Sequence, residues 1–310
     1  MPSPTISVVM IGLNGERFLA EAIEGVLAQT FQDWELVMVD DGSTDASVAI
    51  ATRYQQSHPG RIRLLTHPGH ENRGMSASRN LGVRHARGQW IALLDCDDVW
   101  RPEHLDVLLA AAESHPEADV LYGPALTWFS WDAAATEADF LQDAIVPDGV
   151  TQDPLALADF YLRHSGAVPC PSAQLVRRSA FESLGGFEES FRGMCEDQVW
   201  ALKAAVGARV HVVPTPTLLY RRHPDACCAV SLAARTDARA RLRFIRWARP
   251  YLRAHAPSRP DFDRLLRNQA WHAMRSYGFG AALTRLARRT VPAGVLTRMR
   301  SRQPPSGNGA

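Results

Sequence analysis

The sequence is almost free of lysine and poor in cysteine. Lys203 is its single lysine, and the other 33 basic residues are arginines, a bias that we attribute to genome composition. The five cysteines form an odd set without a C-x-x-C pair. This pattern argues against a disulfide framework and against a zinc site, so we expect reduced thiols.

Long hydrophobic runs are also absent. No apolar stretch approaches the ~20 residues that a membrane-spanning helix requires. The first apolar stretch, residues 6–13, is short and has no basic residue before it, unlike a typical signal peptide. We therefore expect a cytoplasmic protein, with a peripheral position at the inner membrane face as the open alternative.

Two common nucleotide-binding motifs are missing. No G-x-G-x-x-G follows the first apolar stretch, and the sequence has no Walker-A lysine motif. Dinucleotide-binding and P-loop functions therefore have no support.

The charges that are present divide the chain in two. Residues 231–310 contain 17 arginines and three aspartates, with no lysine or glutamate, and carry a net charge of +14. Residues 1–230 carry −13, which argues against a nucleic-acid surface across that part, and we expect no nucleic-acid partner. The charge division predicts an acidic body over 1–230, a basic helical extension over 231–302 and a disordered tail over 303–310.

Strand-like and helix-like patterns alternate over the first hundred residues. Short apolar runs typical of buried parallel strands begin at Ile6, Trp34, Arg61 and Trp90. Segments with helical apolar spacing lie between these runs and after the last one. The alternation predicts an α/β fold whose mostly parallel sheet is covered by helices on both faces.

Carboxylates follow two of the predicted strands. Asp40-Asp41 ends the second run, and Asp95-Cys96-Asp97-Asp98 ends the fourth. Ligands of such sheets bind beyond the carboxyl ends of the strands. Three carboxylates in four residues repel one another unless a cation or bound donors offset their charge, so we predict a ligand site here.

Four stretches resemble the family 2 inverting glycosyltransferases, which have the GT-A fold. They are SVVMIGLNGERFLAEAIEGVLAQTFQDWELVMVDDGSTD (7–45), NRGMSASRNLGVRHARGQWIALLDCDDVWRPEHL (72–105), VRRSAFESLGGFEESFRGMCEDQVWALKAA (176–205) and YRRH (220–223). The resemblance implies transfer of a sugar from a nucleoside-diphosphate sugar, first of all a UDP-sugar, to a sugar or lipid-linked acceptor. Cell-surface polysaccharide or glycolipid biosynthesis is the setting it implies.

The resemblance also implies a Mn²⁺ or Mg²⁺ site. By this resemblance Asp97 binds the metal directly, Asp95 contacts the ribose or the metal through water, and His223 reaches the metal or the diphosphate. Such a cation neutralises charge on the departing nucleotide.

The same resemblance assigns residues to the nucleotide-sugar pocket. Asp41 would bind the base, Asp98 would touch the sugar, and the pocket lining would include Leu13, Glu16 and Arg79. For Arg79 a plain surface position remains the alternative. Leu13 departs from the family pattern, because the segment Ile11-Gly12-Leu13 replaces the usual Pro-Thr/Ser-Tyr. The missing aromatic ring would forfeit base stacking worth ~1–3 kcal/mol.

An acidic pair at the start of a predicted helix matches the family's catalytic base. Inversion by a single displacement needs a group that accepts the proton of the acceptor hydroxyl. The resemblance assigns Asp197 as this base and Glu196 as an orienting or acceptor-binding neighbour. The alternative is that both merely complement the helix dipole.

The middle and the end of the chain carry weaker patterns. Residues 126–170 predict a long connection over the acceptor side, whose aromatic side chains either stack on sugars or belong to the core. Helices are predicted at 235–249, 261–277 and 279–290, broken by Pro250, Pro257, Pro260 and Pro292. The first has basic and apolar faces and contains Trp247, which favours either a membrane-surface contact or docking on the acidic body.

Other functions compete with glycosyl transfer as explanations of the sequence motifs. Asp95 to Val99 fits the D-x-D-x-V motif of haloacid-dehalogenase-like phosphatases, but Lys203 follows the later acidic pair instead of preceding it. The G-x-G-x-R signature of nucleotidyltransferases is absent. A catalytically degenerate relative that serves as a membrane- or partner-binding module stays open, because Leu13 departs from the family pattern.

Overall fold

The computed structural model describes residues 3–142, 149–164, 168–234 and 237–276. Its strands are β1 (Ile6–Gly12), β2 (Trp34–Asp40), β3 (Ile62–Thr66), β4 (Trp90–Asp95), β5 (Val99–Trp100), β6 (Val120–Tyr122), β7 (Ala125–Trp128), β8 (Phe140–Leu141), β9 (Thr151–Gln152), β10 (Gln174–Arg177), β11 (Val210–Val212) and β12 (Leu218–Arg221). Its α-helices are α1 (Leu19–Leu27), α2 (Ser47–Ser57), α3 (Met75–His85), α4 (His104–Ser114), α5 (Ala156–Arg163), α6 (Arg178–Ser183), α7 (Glu196–Gly207), α8 (Cys227–Ala233), α9 (Asp237–His255) and α10 (Phe262–Ser276).

The larger sheet has the strand order β3-β2-β1-β4-β10-β6-β11-β9. Strands β1 to β4 pair in parallel, as the sequence predicts, whereas β10 runs antiparallel between β4 and β6. The register places Gly12 beside Asp40, and Ile11 beside Asp95. The acidic ends of β2 and β4 therefore flank the end of β1 at one edge of the sheet.

A smaller sheet stands beside this edge. Its order is β5-β12-β7-β8, and β5 immediately follows the acidic end of β4. Antiparallel pairing of β5 with β12 brings residues near 220 next to residues near 98. The small sheet thus carries a late part of the chain to the predicted ligand site.

Helices cover both faces of the large sheet, as predicted from the alternating pattern. Successive side chains of β1 alternate between two apolar clusters, with Val9 and Ile11 in one and Val8 and Met10 in the other. The first cluster includes buried residues of α3, α5, α7 and α9, and the second includes those of α1, α2 and α4. A strand with two buried faces needs apolar residues throughout, which explains its continuous hydrophobic run.

The middle of the chain is more regular than predicted. The predicted connection over 126–170 contains β8, β9 and α5 as well as most of β7, and its residues 143–148 and 165–167 lie outside the described residues. Its aromatic side chains divide between two environments. Tyr161 belongs to the core, while Phe140 is 54% exposed.

The basic extension packs on the body over 237–276. The predicted break at Pro250 is wrong, because α9 continues to His255. Proline removes one helix hydrogen bond. Burial of Phe244, Ile245 and Leu252, on both sides of Pro250, offsets that loss. Pro257 and Pro260 lie between α9 and α10, as predicted.

The extension contacts the body at two places, where α9 packs on α7 and α10 packs on α5. Trp247, predicted to face either a membrane or the body, stacks on Tyr251 and meets Phe191 edge-on. The predicted helix at 279–290, the break at Pro292 and the tail at 303–310 lie outside the described residues.

No helix in these described stretches combines the length and apolar character needed to cross a bilayer.

Because α9 packs on the body, a core mutation in the extension should lower the free energy of unfolding of the chain. Leu252→Ala should lower the free energy of unfolding by about 2–5 kcal/mol, because Leu252 is 4% exposed within the main core cluster. Urea unfolding of the full chain measures this change. Leu232→Ala, at a position that is 55% exposed, is the control and should change it by less than about 0.5 kcal/mol. Equal small effects of both mutations would contradict the packing.

Candidate functional site

A cavity of about 1540 Å³ opens at the carboxyl ends of β1, β2 and β4. Eight of the ten residues assigned from the sequence line it, namely Leu13, Glu16, Asp41, Asp95, Asp97, Glu196, Asp197 and His223. Arg79 and Asp98 are not part of the lining. The late acidic pair therefore faces the acidic end of β4, although about one hundred residues separate them in the chain.

Asp97 and His223 form a pair on the cavity wall. His223 follows β12, and its Nε2 lies 3.0 Å from Oδ2 of Asp97. The imidazole packs against the ring of Phe18, and its Nδ1 is buried without a hydrogen-bond partner in the described part of the chain. A carboxylate oxygen and an imidazole nitrogen at this separation are both suitable metal-ligand atoms. The described residues contain no cluster of three or more such side chains.

Arg221 fixes β12 to the turn that carries Asp97. Its Nε donates to the carbonyl oxygen of Asp97 at 2.8 Å, and a guanidinium nitrogen lies 2.6 Å from a carboxylate oxygen of Glu21. The guanidinium also lies 4.4–5.2 Å from the ring centroids of Phe18, Trp128 and Trp131. Sequence reasoning missed this residue, because its partners come from three separate segments.

Asp98 serves this same junction instead of the cavity. It is 1% exposed, and Oδ1 accepts a hydrogen bond from the backbone N–H of Arg221 at 3.1 Å. Burial, together with the nearby carboxylates, raises the pKa of Asp98 well above its ordinary value. The structure thus places Asp98 at a junction of the backbone, and the sugar contact assigned to it stays a prediction.

Asp41 shapes a loop on the cavity wall. Its carboxylate accepts hydrogen bonds from the backbone N–H of Arg73 at 2.7 Å and of Gly74 at 2.9 Å. Gly74 has φ +90°, and a Cβ there would lie 3.0 Å from Cα of Arg192. Glycine is therefore required for this loop to pass beside Arg192.

The chain departs from the family pattern at Gly12 and Leu13. Cys96, in the turn after β4, leaves little room for a side chain at Gly12. A Cβ at Gly12 would lie 2.9 Å from Sγ of Cys96, and one at Gly15 would lie 2.7 Å from it. Leu13 is 45% exposed and presents an aliphatic surface to the cavity. Glu16 also lines the cavity, while its carboxylate accepts a hydrogen bond from the backbone N–H of Ala46.

Arg79 is buried between two carboxylates, so the surface alternative is wrong. It is 1% exposed, with Nη2 2.7 Å from Oδ1 of Asp95 and Nη1 3.3 Å from Oε1 of Glu196. The guanidinium also lies 5.0 Å from the ring centroid of Phe187. Arg79 thereby links the end of β4 to the start of α7.

Glu196 and Asp197 form the first turn of α7 and face the cavity. The preceding residue, Cys195, adopts a left-handed conformation with φ +74°, which turns the chain sharply into the helix. Burial and the adjacent Asp197 charge raise the pKa of Glu196 to about 8, although Arg79 opposes this shift. Burial also raises the pKa of Asp197.

The cavity wall contains further polar residues beyond the ten assigned from the sequence. They are Asn14, Arg17, Asp45, Asn72, Gln142, His164, Arg192, Gln198, Arg222, Asp225 and Ser231. Gln198 directly follows the acidic pair, so adjacency was the available signal for it. Arg192 had no such signal, because its place on the wall depends on the loop at Gly74.

The buried position of Arg79 predicts a large loss of stability upon its removal. Arg79→Met should lower the free energy of unfolding by about 3–5 kcal/mol, because two largely buried carboxylates would lose their cation. Urea unfolding measures the loss. Arg84→Met is the matched control on the same helix, since Arg84 is 58% exposed and pairs with an exposed Glu189. A loss of about 1 kcal/mol or less for Arg79→Met would refute the pairing described above.

Comparisons with known proteins agree on one family and one fold. The sequence model described as Glycosyl transferase family 2 matches residues 7–185. The putative glycosyltransferase EpsE of Bacillus subtilis is 39% identical over 118 residues, which cover 38% of this chain and 42% of EpsE. Glycosyltransferase GlyG of Streptococcus pneumoniae is 29% identical over 187 residues, which cover 59% of this chain and 60% of GlyG. The chain thus spans less than two thirds of these curated relatives.

Solved structures show the fold. TarS 1-349 of S. aureus in complex with UDP-GlcNAc matches with a TM-score of 0.63 at 18% identity, covering 89% of this chain and 75% of TarS 1-349. The mannosyltransferase PcManGT of Pyrobaculum calidifontis, in complex with GDP-Man and Mn²⁺, matches with a TM-score of 0.55 at 20% identity. That match covers 97% of this chain and 85% of PcManGT.

Proposed function

The chain belongs to glycosyl transferase family 2, and on that premise we propose that it transfers a sugar from a nucleoside-diphosphate sugar to an acceptor hydroxyl with inversion. One observation carries the proposal. A single cavity has the acidic end of β4 on its wall together with the Glu196-Asp197 pair of α7. A displacement reaction needs a leaving-group site and a base in one cavity.

The donor would bind at the ends of β1, β2 and β4. Asp41, Leu13 and Glu16 would surround the base, and Asp95 would contact the ribose. The similar TarS and PcManGT are complexed with UDP-GlcNAc and GDP-Man, which supports a nucleotide-sugar donor. We propose a UDP-sugar as the first donor to test.

The residues present fit a divalent cation. Asp97 and His223 would supply two ligand atoms, Asp95 would add a contact through water, and the donor diphosphate would supply further oxygens. Bound Mn²⁺ or Mg²⁺ would supply positive charge against the departing nucleoside diphosphate. The Mn²⁺ complex of PcManGT supports this proposal.

Asp197 would act as the base. The acceptor oxygen attacks the anomeric carbon from the side opposite the diphosphate, and the bond from that carbon to the diphosphate oxygen breaks. Asp197 accepts the hydroxyl proton, and the nucleoside diphosphate leaves with the electron pair. Glu196 would orient Asp197 or the acceptor.

The biological setting follows from the family resemblance. We propose a role in cell-surface polysaccharide or glycolipid biosynthesis, with a cytoplasmic enzyme at the inner membrane face. The basic extension supports contact with an anionic surface, because it carries an excess of arginine over acidic residues.

Nucleotide binding gives the first test. UDP with Mn²⁺ should stabilise the full chain by about 2.7 kcal/mol at a concentration one hundred times its Kd, measured as a thermal shift. GDP, dTDP and CMP test the alternative bases. Asp97→Ala should abolish the shift, whereas Glu113→Ala, at an exposed position of α4, should preserve it. No shift with any of the four nucleotides would favour the degenerate binding module.

The raised pKa of Asp197 predicts a particular pH profile. A base works in its ionised form, so a raised pKa means that activity is lost as the pH falls through a value above 3.8. With the donor identified by thermal shift, kcat/KM measured against pH should show this acidic limb. Asp197→Asn should lower kcat by about 10²- to 10⁴-fold and preserve the nucleotide thermal shift. Full activity of Asp197→Asn would exclude Asp197 as the base.

A further inference from the structure

Most of the large apolar side chains that are exposed among the described residues gather at the cavity. Seven such side chains are exposed, and five of them belong to the cavity lining or to the short elements β8 and α8 that help to form it. Leu13 is one of the five and is assigned above to the nucleotide pocket, so we name the other four the apolar rim: Phe140, Leu141, Val230 and Leu232. Their exposed fractions lie between 51% and 55%. Clustered exposed apolar side chains mark an interaction surface.

Helix α8 is the largest part of this rim. It contains no charged residue and no buried residue, so its apolar side chains are not used by the core. Cys227, Cys228, Val230 and Ser231 also line the cavity. A helix of this composition that stays outside the core has its apolar surface available to a partner.

Helix α9 brings arginines near the cavity wall. Helix α9 follows α8, Arg241 donates to the Gln198 side chain, and Arg243 donates to the carbonyl oxygen of Ser190. Gln198 lines the cavity, so these contacts place the start of α9 beside its wall. Arg239, Arg243 and Arg246 are exposed and spaced four and three residues apart, which puts them on one face of α9. We name these three the basic stripe.

The basic stripe has little acidic compensation. Within the described residues Arg239, Arg243 and Arg246 make no ion pair with a carboxylate. Exposed guanidinium groups without a carboxylate partner, beside an apolar surface, match an anionic lipid bilayer, where apolar side chains enter the headgroup region and cations contact phosphates.

Resting on the glycosyl transfer proposed above, we propose that the apolar rim and the basic stripe dock the mouth of the cavity on an anionic bilayer. In this orientation the cavity opens toward the lipid surface, which suits an acceptor anchored in that bilayer. Nucleic acid fits this mouth less well, because Leu141, Val230 and Leu232 are aliphatic side chains that cannot stack on bases but can enter the headgroup region of a bilayer.

Sedimentation of the full chain with vesicles tests the rim. The chain should bind vesicles of phosphatidylglycerol and phosphatidylcholine, and bind pure phosphatidylcholine more weakly. The double variant Leu141→Asp and Leu232→Asp should lower the binding constant by about tenfold or more. Val150→Asp is the matched control, because Val150 is 48% exposed, apolar and outside the cavity lining, and it should change binding less than twofold.

A second pair of variants tests the stripe. Arg239→Gln and Arg246→Gln together should weaken binding to the anionic vesicles by about fivefold for each arginine. Added salt should reduce the difference in affinity between the wild-type chain and this double variant. Arg53→Gln, at an exposed arginine on α2, is the control and should leave binding unchanged.

Several results would overturn the docking surface. They are an absence of vesicle binding at low salt, an equal loss with Val150→Asp, or binding of a single-stranded RNA without vesicle binding. The double variant Leu141→Asp and Leu232→Asp should retain the wild-type thermal shift with nucleotide. This measurement separates a loss of membrane docking from a loss of the nucleotide site. Vesicle binding without any nucleotide shift would preserve the docking surface and refute glycosyl transfer.

Discussion

The contact of Arg79 with Asp95 and Glu196 is the constraint on which the candidate site depends. It joins the end of a central strand to the start of α7, across a sequence separation of about one hundred residues. Without that guanidinium, the carboxylates at both places would be buried near one another with no cation between them. The Arg79 guanidinium is therefore a cation that the protein itself supplies. It fixes the end of β4 relative to the start of α7.

Each carboxylate at the end of β4 has a different partner, which resolves the repulsion expected from the sequence. Asp95 pairs with Arg79, Asp97 pairs with His223, and Asp98 accepts a backbone N–H. Only the Asp97 pair joins a carboxylate to an imidazole. The acidic run that reads as one site in the sequence thus divides into a salt bridge, a carboxylate–imidazole pair and a backbone anchor.

The parts of this structure that could be predicted depend on local patterns. Strands β1 to β4 have short apolar runs and turn residues that mark their ends, and α1 and α4 have apolar faces at helical spacing. The acidic strand ends of the candidate site followed, because parallel strands bring their carboxyl ends to one edge. Glu196, Asp197 and His223 were assigned only by the family resemblance. The burial of Arg79, the junction at Arg221 and the antiparallel β10 depend on contacts between distant segments, which no local pattern encodes. Pro250 was misjudged for the same reason, since packing on α7 stabilises α9 on both sides of the proline.

Glu196 and Asp197 differ in burial and in their neighbours, because Glu196 is buried and Asp197 is only partly buried. Adjacent carboxylates disfavour double ionisation, and burial disfavours the charged form of Glu196 further. Glu196 is 6% exposed, and its contact with Arg79 is 3.3 Å long, whereas the shorter contact of Arg79 goes to Asp95. Burial raises the pKa of Glu196 to about 8, which favours its protonated form at neutral pH. A protonated Glu196 would leave Asp197 as the carboxylate available to accept a proton, which is the role that the sequence resemblance assigns to it.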